Sequence, residues 1–406
     1  MLIKNVKVYT EEKQFLNGII GIKNSLFDKI VTGKEKELDA LIDVAEHTRD
    51  EVIDGRGCYA IPGLIDLHFH GCMGDDFCDA TREVIARIAA YEESIGVTAI
   101  APATMTLPVE DLEKILAVAA EYKKKATNGS DFIGINMEGP FISKMKKGAQ
   151  DEKNIIACDT GICQHFIDIS DGLVKFVGIA PEENENTIDF IRQMKGKVNI
   201  SLAHTDADYE TAKAAFDAGA NHVVHLYNAM PAFHHRNPGV VGAVCDSRHV
   251  MAELICDGVH VHPATVRATF KMLGEDRIIL ISDSMRATGM ANGQYTLGGL
   301  KVNVKGNRAM LVSDGTLAGS VTNLMDCVRI AVKEMEIPLE IVVACVTMNP
   351  AKSLGEYEKY GSISVGKKAN VVLLNKELEL KVVIKDGKIA HSENGFVKSV
   401  DFLHQN

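Results

Sequence analysis

The spacing of hydrophobic and polar positions changes twice along this chain. From residue 1 to about 60, short apolar or alternating runs at Leu2 to Tyr9, Gly18 to Ile22 and Asp28 to Val31 predict strands, and a polar, acidic stretch follows at 33 to 51. From 61 to about 350, apolar strand-like runs alternate with helix-period segments. The strand runs are Ile61 to Leu67, Val97 to Ala101, Phe132 to Met137, Val174 to Ala180, Val198 to Ala203, His222 to Leu226, Ala252 to Cys256 and Arg277 to Ser282. Helices are expected at 80 to 94, 108 to 125, 183 to 195, 207 to 218 and 263 to 273, with Pro108 at a helix start and Gly219 just past a helix end. Short alternating runs with several glycines at 292 to 316 suggest a hairpin insertion after the eighth strand. Strands return at Val371 to Leu374 and Leu380 to Ile384, and Asp386-Gly387 marks a primed turn.

Eight strands with helical crossovers predict an α/β fold, a parallel (β/α)8 barrel. The terminal strands predict a small β-sandwich domain assembled from both ends of the chain. The expected domains are 1 to 60 plus 360 to 406 for the β-domain and 61 to 359 for the barrel. A length of 406 residues accommodates both.

Composition narrows the function classes. The chain is 46% apolar, and no uncharged apolar run reaches the ~20 residues of a membrane span. A net charge of -11 argues against nucleic acid or an anionic membrane as partner, so a small anionic ligand would need a local basic anchor. The nine cysteines are scattered without CxxC pairs and read as reduced thiols of a cytoplasmic protein. The start, Met1 to Val6, lacks a secretory apolar segment.

Barrels of this class place chemistry at the carboxyl ends of their strands, and polar residues stand there in this sequence. His68 and His70, spaced by one residue, end the first run and can converge on one point because alternate strand side chains share a face. Glu138 ends the third, His204 the fifth and Asp283 the eighth, while His225 falls within the sixth. Singly, each has an ordinary structural explanation, as a solvated histidine, a helix cap or an Asx turn. Together, imidazoles and carboxylates on one rim describe a first-row divalent metal site of one or two ions, most simply zinc or iron(II), with manganese and cobalt also compatible. His234, His235, His249 and His262 are expected to be structural, and Cys72 and Cys78 incidental to any metal.

Specific strings carry a resemblance. PGLIDLHFHG at 62 to 71, MEGPFIS at 137 to 143, LAHTDA at 202 to 207, HLYNAM at 225 to 230, CDGVHV at 256 to 261, SDSMRATG at 282 to 289, AGSVTNLMD at 318 to 326, MNPAKSLG at 348 to 355 and GSISVGKKANVVLL at 361 to 374 resemble N-acetylglucosamine-6-phosphate deacetylases of the amidohydrolase superfamily. The resemblance implies that Glu138, His204 and His225 hold the principal metal, and that His68 and His70 complete a second site with Glu138 bridging. It implies Asp283 as general base and then acid, in hydrolysis of the acetamide of N-acetylglucosamine 6-phosphate by metal-activated water. Arg236 resembles the family's phosphate-binding arginine, assisted by Asn228 and the amide of Ala229, and in the family it reaches a neighbouring subunit's site; a homodimer is therefore implied. His260 would bind a sugar hydroxyl. Some members carry histidine where this chain has Gln150, which can donate a hydrogen bond but cannot carry an imidazolium charge. The galactosamine epimer, or another N-acyl amino sugar, stays open as substrate. A cyclic-amide hydrolase is disfavoured by MEGPF and HLYNAM, and a silent sugar-phosphate sensor by Asp283, since binding alone needs no proton shuttle.

Overall fold

The computed structural model describes residues 1–33, 51–126, 128–393 and 395–399, so most of the acidic stretch at 33 to 51 lies outside the described residues. The chain divides into two units, Met1–Ile65 with Glu92–Ala99 and Pro338–Asn406, and Asp66–Tyr91 with Ile100–Ile337.

The first unit is built on a nine-stranded sheet that joins both ends of the chain. Its centre is Leu2–Tyr9, antiparallel to Phe15–Lys23. The first half of that central strand pairs in parallel with Glu51–Asp54, and its second half with Tyr59–Pro62, so the sheet forks. Asn5, at φ 54°, sits where the register shifts between Ile3 and Val6. An inserted residue reverses the alternation, which is how Ile3, Val6 and Val8 all reach one core with Ile20, Phe27, Val371 and Ile384. The expected primed turn is present. Asp386 (φ 49°) and Gly387 (φ 72°) link Leu380–Lys385 to Lys388–Ser392, with both residues in the left-handed region that such a turn requires.

The second unit carries a seven-stranded parallel sheet in the order Ala103–Thr104, Ile135–Phe141, Val174–Ile179, Asn199–Leu202, His222–Val223, Met251–Ile255, Ile278–Ile281. The strands are almost wholly buried, as in parallel sheets covered on both faces, which explains why they read as apolar runs rather than alternating ones. Leading out of the first strand run, the segment 66–70 is stitched on both sides. Ala101 and Ala103 donate to the carbonyls of Asp66 and Phe69, while Asp283 donates to the carbonyl of His68 and His70 to that of Ser284. The exits of the first and eighth runs therefore lie side by side, and that adjacency positions the site.

The five expected helices form, as Arg82–Ser94, Val109–Lys125, Thr187–Met194, Tyr209–Ala218 and Pro263–Leu273. Asp208 caps the fourth through a hydrogen bond from Thr211 N, and Gly219 at φ 135° ends it. Further helices that the pattern did not flag include Thr160–Ile169, Gly239–Cys245 and Leu324–Lys333. The insertion at 292 to 316 is a three-stranded sheet, Gly293–Leu297, Leu300–Lys305 and Arg308–Leu311, whose Leu297, Val302 and Leu311 pack with Met105 and Met285. No helix among the described residues is long and apolar enough to cross a membrane.

Candidate metal centre

Two side-chain triads meet at the carboxyl ends of these strands: His68, His70 and Asp283, and Glu138, His204 and His225. All six are buried. His204 and His225 each lie two residues beyond a strand end, at φ 45° and 27°, and Asp283 follows its strand at φ 49°. Left-handed backbone is costly for residues with a β-carbon and persists where surrounding structure fixes it, commonly at functional sites. Two placements differ from the sequence reading. His225 is not within a strand, because His222–Val223 is short and the chain turns out immediately after it. Glu138 is not at a strand end but inside Ile135–Phe141, at a register shift between Met137 and Phe141 that lets its side chain face the rim.

Glu138 is the hub. Its Oε1 lies 3.0 Å from His204 Nε2, 2.8 Å from His225 Nε2 and 3.5 Å from His68 Nε2, and its Oε2 lies 3.4 Å from His70 Nε2. His70 Nε2 is also 3.3 Å from Asp283 Oδ1, and His68 Nε2 is 3.8 Å from the same oxygen. One carboxylate thus reaches the histidines of both triads, Oε1 lying near His204, His225 and His68 and Oε2 near His70, an arrangement open to a bridging ligand.

The donor set fits a cation on this geometry. His204 and His225 bring their Nε2 atoms to 3.2 Å from one another, where two lone pairs repel unless something positive lies between. His68 Nε2 is buried without a hydrogen-bond partner, although its ring is anchored through Nδ1 to Glu253 Oε2 at 2.8 Å. His204 Nδ1 is similarly anchored to the Lys146 carbonyl at 2.9 Å. Anchoring one ring nitrogen while the other faces the site is how metal-bound histidines are oriented.

Electrostatics agree. Burial disfavours every charge here, yet Asp283 and Glu138 outweigh it and push His70 up to about 10. The same competition raises His204 above its ordinary value through Glu138. Burial would lift the Glu138 carboxyl, but His204 and His68 hold it well below the usual range, and His70 and His68 hold Asp283 below it. The same negative field that raises these imidazoles would favour a cation between them.

A cleft of about 250 Å³ opens over the triads, and Gln150, Asn228, Ala229 and His260 line it, with Met105, Leu297 and Leu317 as an apolar wall. Gln150 accepts the Thr106 N–H at 2.7 Å and donates to Glu138 Oε2 at 2.7 Å. His260 Nδ1 lies 2.7 Å from Asp257 Oδ2, which raises the imidazole against the effect of burial. Arg236 is not among the lining residues; it is exposed, its Nη1 2.8 Å from His235 Nε2. The histidines expected to be structural have such partners: His249 bonds the Ala220 carbonyl, and His262 accepts from Ala264 N at the head of Pro263–Leu273. Cys78 Sγ accepts the Met105 N–H, and neither Cys72 nor Cys78 belongs to the triads.

Sequence reasoning missed Glu253, Asp257 and His222. Glu253 had a legible signal, since a single carboxylate inside the apolar run Met251 to Cys256 of a central strand must find partners. Burial would raise it, but His68 and His222 hold it at about 2.

Comparisons with known proteins agree with this geometry. Residues 59–390 match the amidohydrolase family. The chain is 35% identical over 394 residues to an N-acetylglucosamine-6-phosphate deacetylase of Bacillus subtilis (strain 168), covering 96% of this chain and 97% of that protein. It is 34% identical over 330 residues to an N-acetylgalactosamine-6-phosphate deacetylase of Escherichia coli O157:H7, covering 81% and 87%. A solved structure of a variant N-acetyl-D-glucosamine-6-phosphate deacetylase from Mycobacterium smegmatis, in complex with N-acetyl-D-glucosamine-6-phosphate, superposes with a TM-score of 0.87 at 30% identity, covering 97% of this chain and 99% of that one. The two triads thus sit in a chain that belongs to the amidohydrolase family, in its N-acetylglucosamine-6-phosphate deacetylase branch.

Proposed function

We propose that this chain hydrolyses the acetamide of N-acetylglucosamine 6-phosphate to glucosamine 6-phosphate and acetate. The observation that carries the reading is the convergence of His204 and His225 on one oxygen of Glu138, with His68 approaching that same oxygen and His70 the other. In this reading the parallel strands form a (β/α)8 barrel and the forked terminal sheet a small β-sandwich. Glu138, His204 and His225 hold one divalent ion, and His68, His70 and Glu138 a second, with zinc or iron favoured by the nitrogen and oxygen donors. Such ions lower the pKa of bound water from 15.7 toward ~7 and polarise a carbonyl.

The protein's own residues do the rest. Asp283, held ionised beside His70, takes the proton of the attacking water. As the C–N bond breaks, the same carboxyl gives that proton to the departing sugar amine, which leaves neutral. Gln150 fixes Oε2 of Glu138 while facing the acetamide. His260, oriented by Asp257, binds a sugar hydroxyl, and Asn228 and the Ala229 amide meet the phosphate. Arg236, exposed on its own subunit, supplies the phosphate's guanidinium contact to a neighbouring copy, which makes the active species a homodimer. Nine thiols without disulfides suit a reducing cytoplasm.

The second reading, N-acetylgalactosamine 6-phosphate as substrate, is favoured by the likeness to the Escherichia coli relative. Acetate release assayed with both epimers, alongside elemental analysis, tests the proposal. Release from the glucosamine compound by a metal-containing preparation is expected; a metal-loaded protein that cleaves neither epimer overturns it.

A further inference from the structure

Beneath the two triads lies a buried carboxylate to which neither motif nor mechanism assigns a role. Glu253, in Met251–Ile255, is fully buried. Four donors surround it: Oε2 lies 2.8 Å from His68 Nδ1 and 3.2 Å from the His225 backbone nitrogen, and Oε1 lies 2.9 Å from His222 Nε2 and 3.2 Å from Asn136 Nδ2. An ionised carboxylate offers about four lone-pair sites, so all are used. Asn136 is itself tied to the Leu67 carbonyl at 3.1 Å, directly before His68.

We infer that Glu253 is a positioning residue that couples the two metal subsites, fixing His68 with its proton on Nδ1 and its Nε2 lone pair facing the ion, and pinning the strained backbone of His225. The inference rests on the proposed metal centre and adds a dependence between its halves. A single oxygen, Oε2, contacts one ligand from each triad. Acceptance from Nδ1 dictates the tautomer. The hydrogen bond to the His225 amide sits at the residue whose φ of 27° needs an outside restraint. His222 and Asn136 keep the carboxylate from rotating away. A purely structural buried glutamate would have no reason to engage a metal-site histidine and the backbone of another together.

Glu253→Gln tests this. An amide presents one acceptor oxygen and one donor nitrogen, so it cannot accept from both sides of the network. Zinc bound per subunit is measured by elemental analysis and by competition with a chelator. Relative to wild type, the ion at the His68–His70 subsite should bind about 10- to 100-fold more weakly, with a fall in kcat exceeding any rise in KM. Unchanged affinity for both ions in a folded variant overturns the inference. Should the variant not fold, the zinc-loaded wild type with ¹⁵N-labelled histidine decides: His68, assigned by loss of its signal in His68→Asn, should show a slowly exchanging Nδ1–H and a metal-bound Nε2. The reverse assignment overturns the coupling. Failure of the wild type itself to bind zinc would instead strike the metal centre, so the two failures are distinguishable.

Discussion

His204 and His225 point their Nε2 atoms at each other across 3.2 Å, and both lie within hydrogen-bond distance of the same Glu138 oxygen. Imidazoles hold this posture only around a shared proton or a cation, so metal and protons compete for one place. The carboxylates push His70 up to about 10 and raise His204. Because ligands must shed protons to bind metal, affinity should rise with pH through the neutral range, by about tenfold per pH unit for each proton displaced. Titrating metal-free protein with zinc at pH 6, 7 and 8 checks this; equal affinities would contradict the shared position.

Asp283 separates chemistry from metal loading. Its Oδ1 is 3.3 Å from His70 Nε2, close enough to orient the ring, yet the proposed proton transfer needs its basicity. Asp283→Asn keeps the size and a hydrogen-bonding oxygen but cannot take a proton. We expect near-normal metal content and a kcat lowered at least about 100-fold, the usual scale of a lost general base. Comparable turnover in the variant would remove the assignment.

Gly139, directly after Glu138, tests how tightly the hub is held. At φ 101° it lies where side-chained residues strain, and an added β-carbon would collide with the Thr106 hydroxyl. That hydroxyl donates to the Glu138 carbonyl at 3.2 Å. Gly139→Ala should cost roughly 1–3 kcal/mol in denaturant unfolding and weaken metal binding with it. An alanine variant with unchanged midpoint and metal content would show that this segment gives way freely.

The pattern that singled out these candidates also shows where pattern ends. Glu138, His204 and Asp283 were legible as candidates because a parallel-barrel expectation looks for polar residues at one end of the strands, a topological rule that needs only approximate strand positions. His225 was found but misplaced, since periodicity carries no signal for a chain that turns at φ 27° two residues after a strand of two. Thr160–Ile169 and Gly239–Cys245 escaped as helices because the first carries Thr160, Gly161, Cys163, Asp168 and three isoleucines and the second is mostly valine and glycine, residues with weak helix propensity that packing overrides. Asn323, which caps Leu324–Lys333 through Asp326 N, was a readable signal not used. Asp257 was beyond reach, because its meaning is a contact with His260 made by a tight turn rather than a shared face.

That contact has a pH window of its own. Burial would raise Asp257 and lower His260, but each counteracts this for the other, so Asp257 is held below its ordinary 3.8 and His260 above its ordinary 6.5. The depressed carboxyl contributes stability above pH 3.8 that is lost as pH falls through its folded-state value. The raised imidazole contributes stability below pH 6.5 that is lost as pH rises through its own. Asp257→Asn should therefore cost most between these limits, about 1.5–3 kcal/mol, and less at pH 9. Unfolding midpoints at pH 5.5 and 9 that shift equally would exclude the ion pair.

Arg236 carries the quaternary part of the proposal. On one chain its guanidinium is exposed and bonds His235 among the described residues, and it is not part of the lining of the cleft. A bidentate guanidinium–phosphate contact is worth about 1.5–3 kcal/mol, so Arg236→Ala should raise KM for the phosphorylated substrate about 10- to 150-fold. Activity toward the unphosphorylated sugar should change little. If the arginine acts across subunits, an inactive Asp283→Asn chain mixed with a weakly binding Arg236→Ala chain should recover turnover at the low wild-type KM, because in the mixed dimer one site combines an intact Asp283 with the arginine of the other copy. Dilution of wild type below its dimer dissociation constant should lower phosphate-dependent turnover along with the loss of dimer seen by light scattering. A monomer with full activity, or a mixture that keeps the raised KM although mixed dimers form, would place Arg236 outside the site.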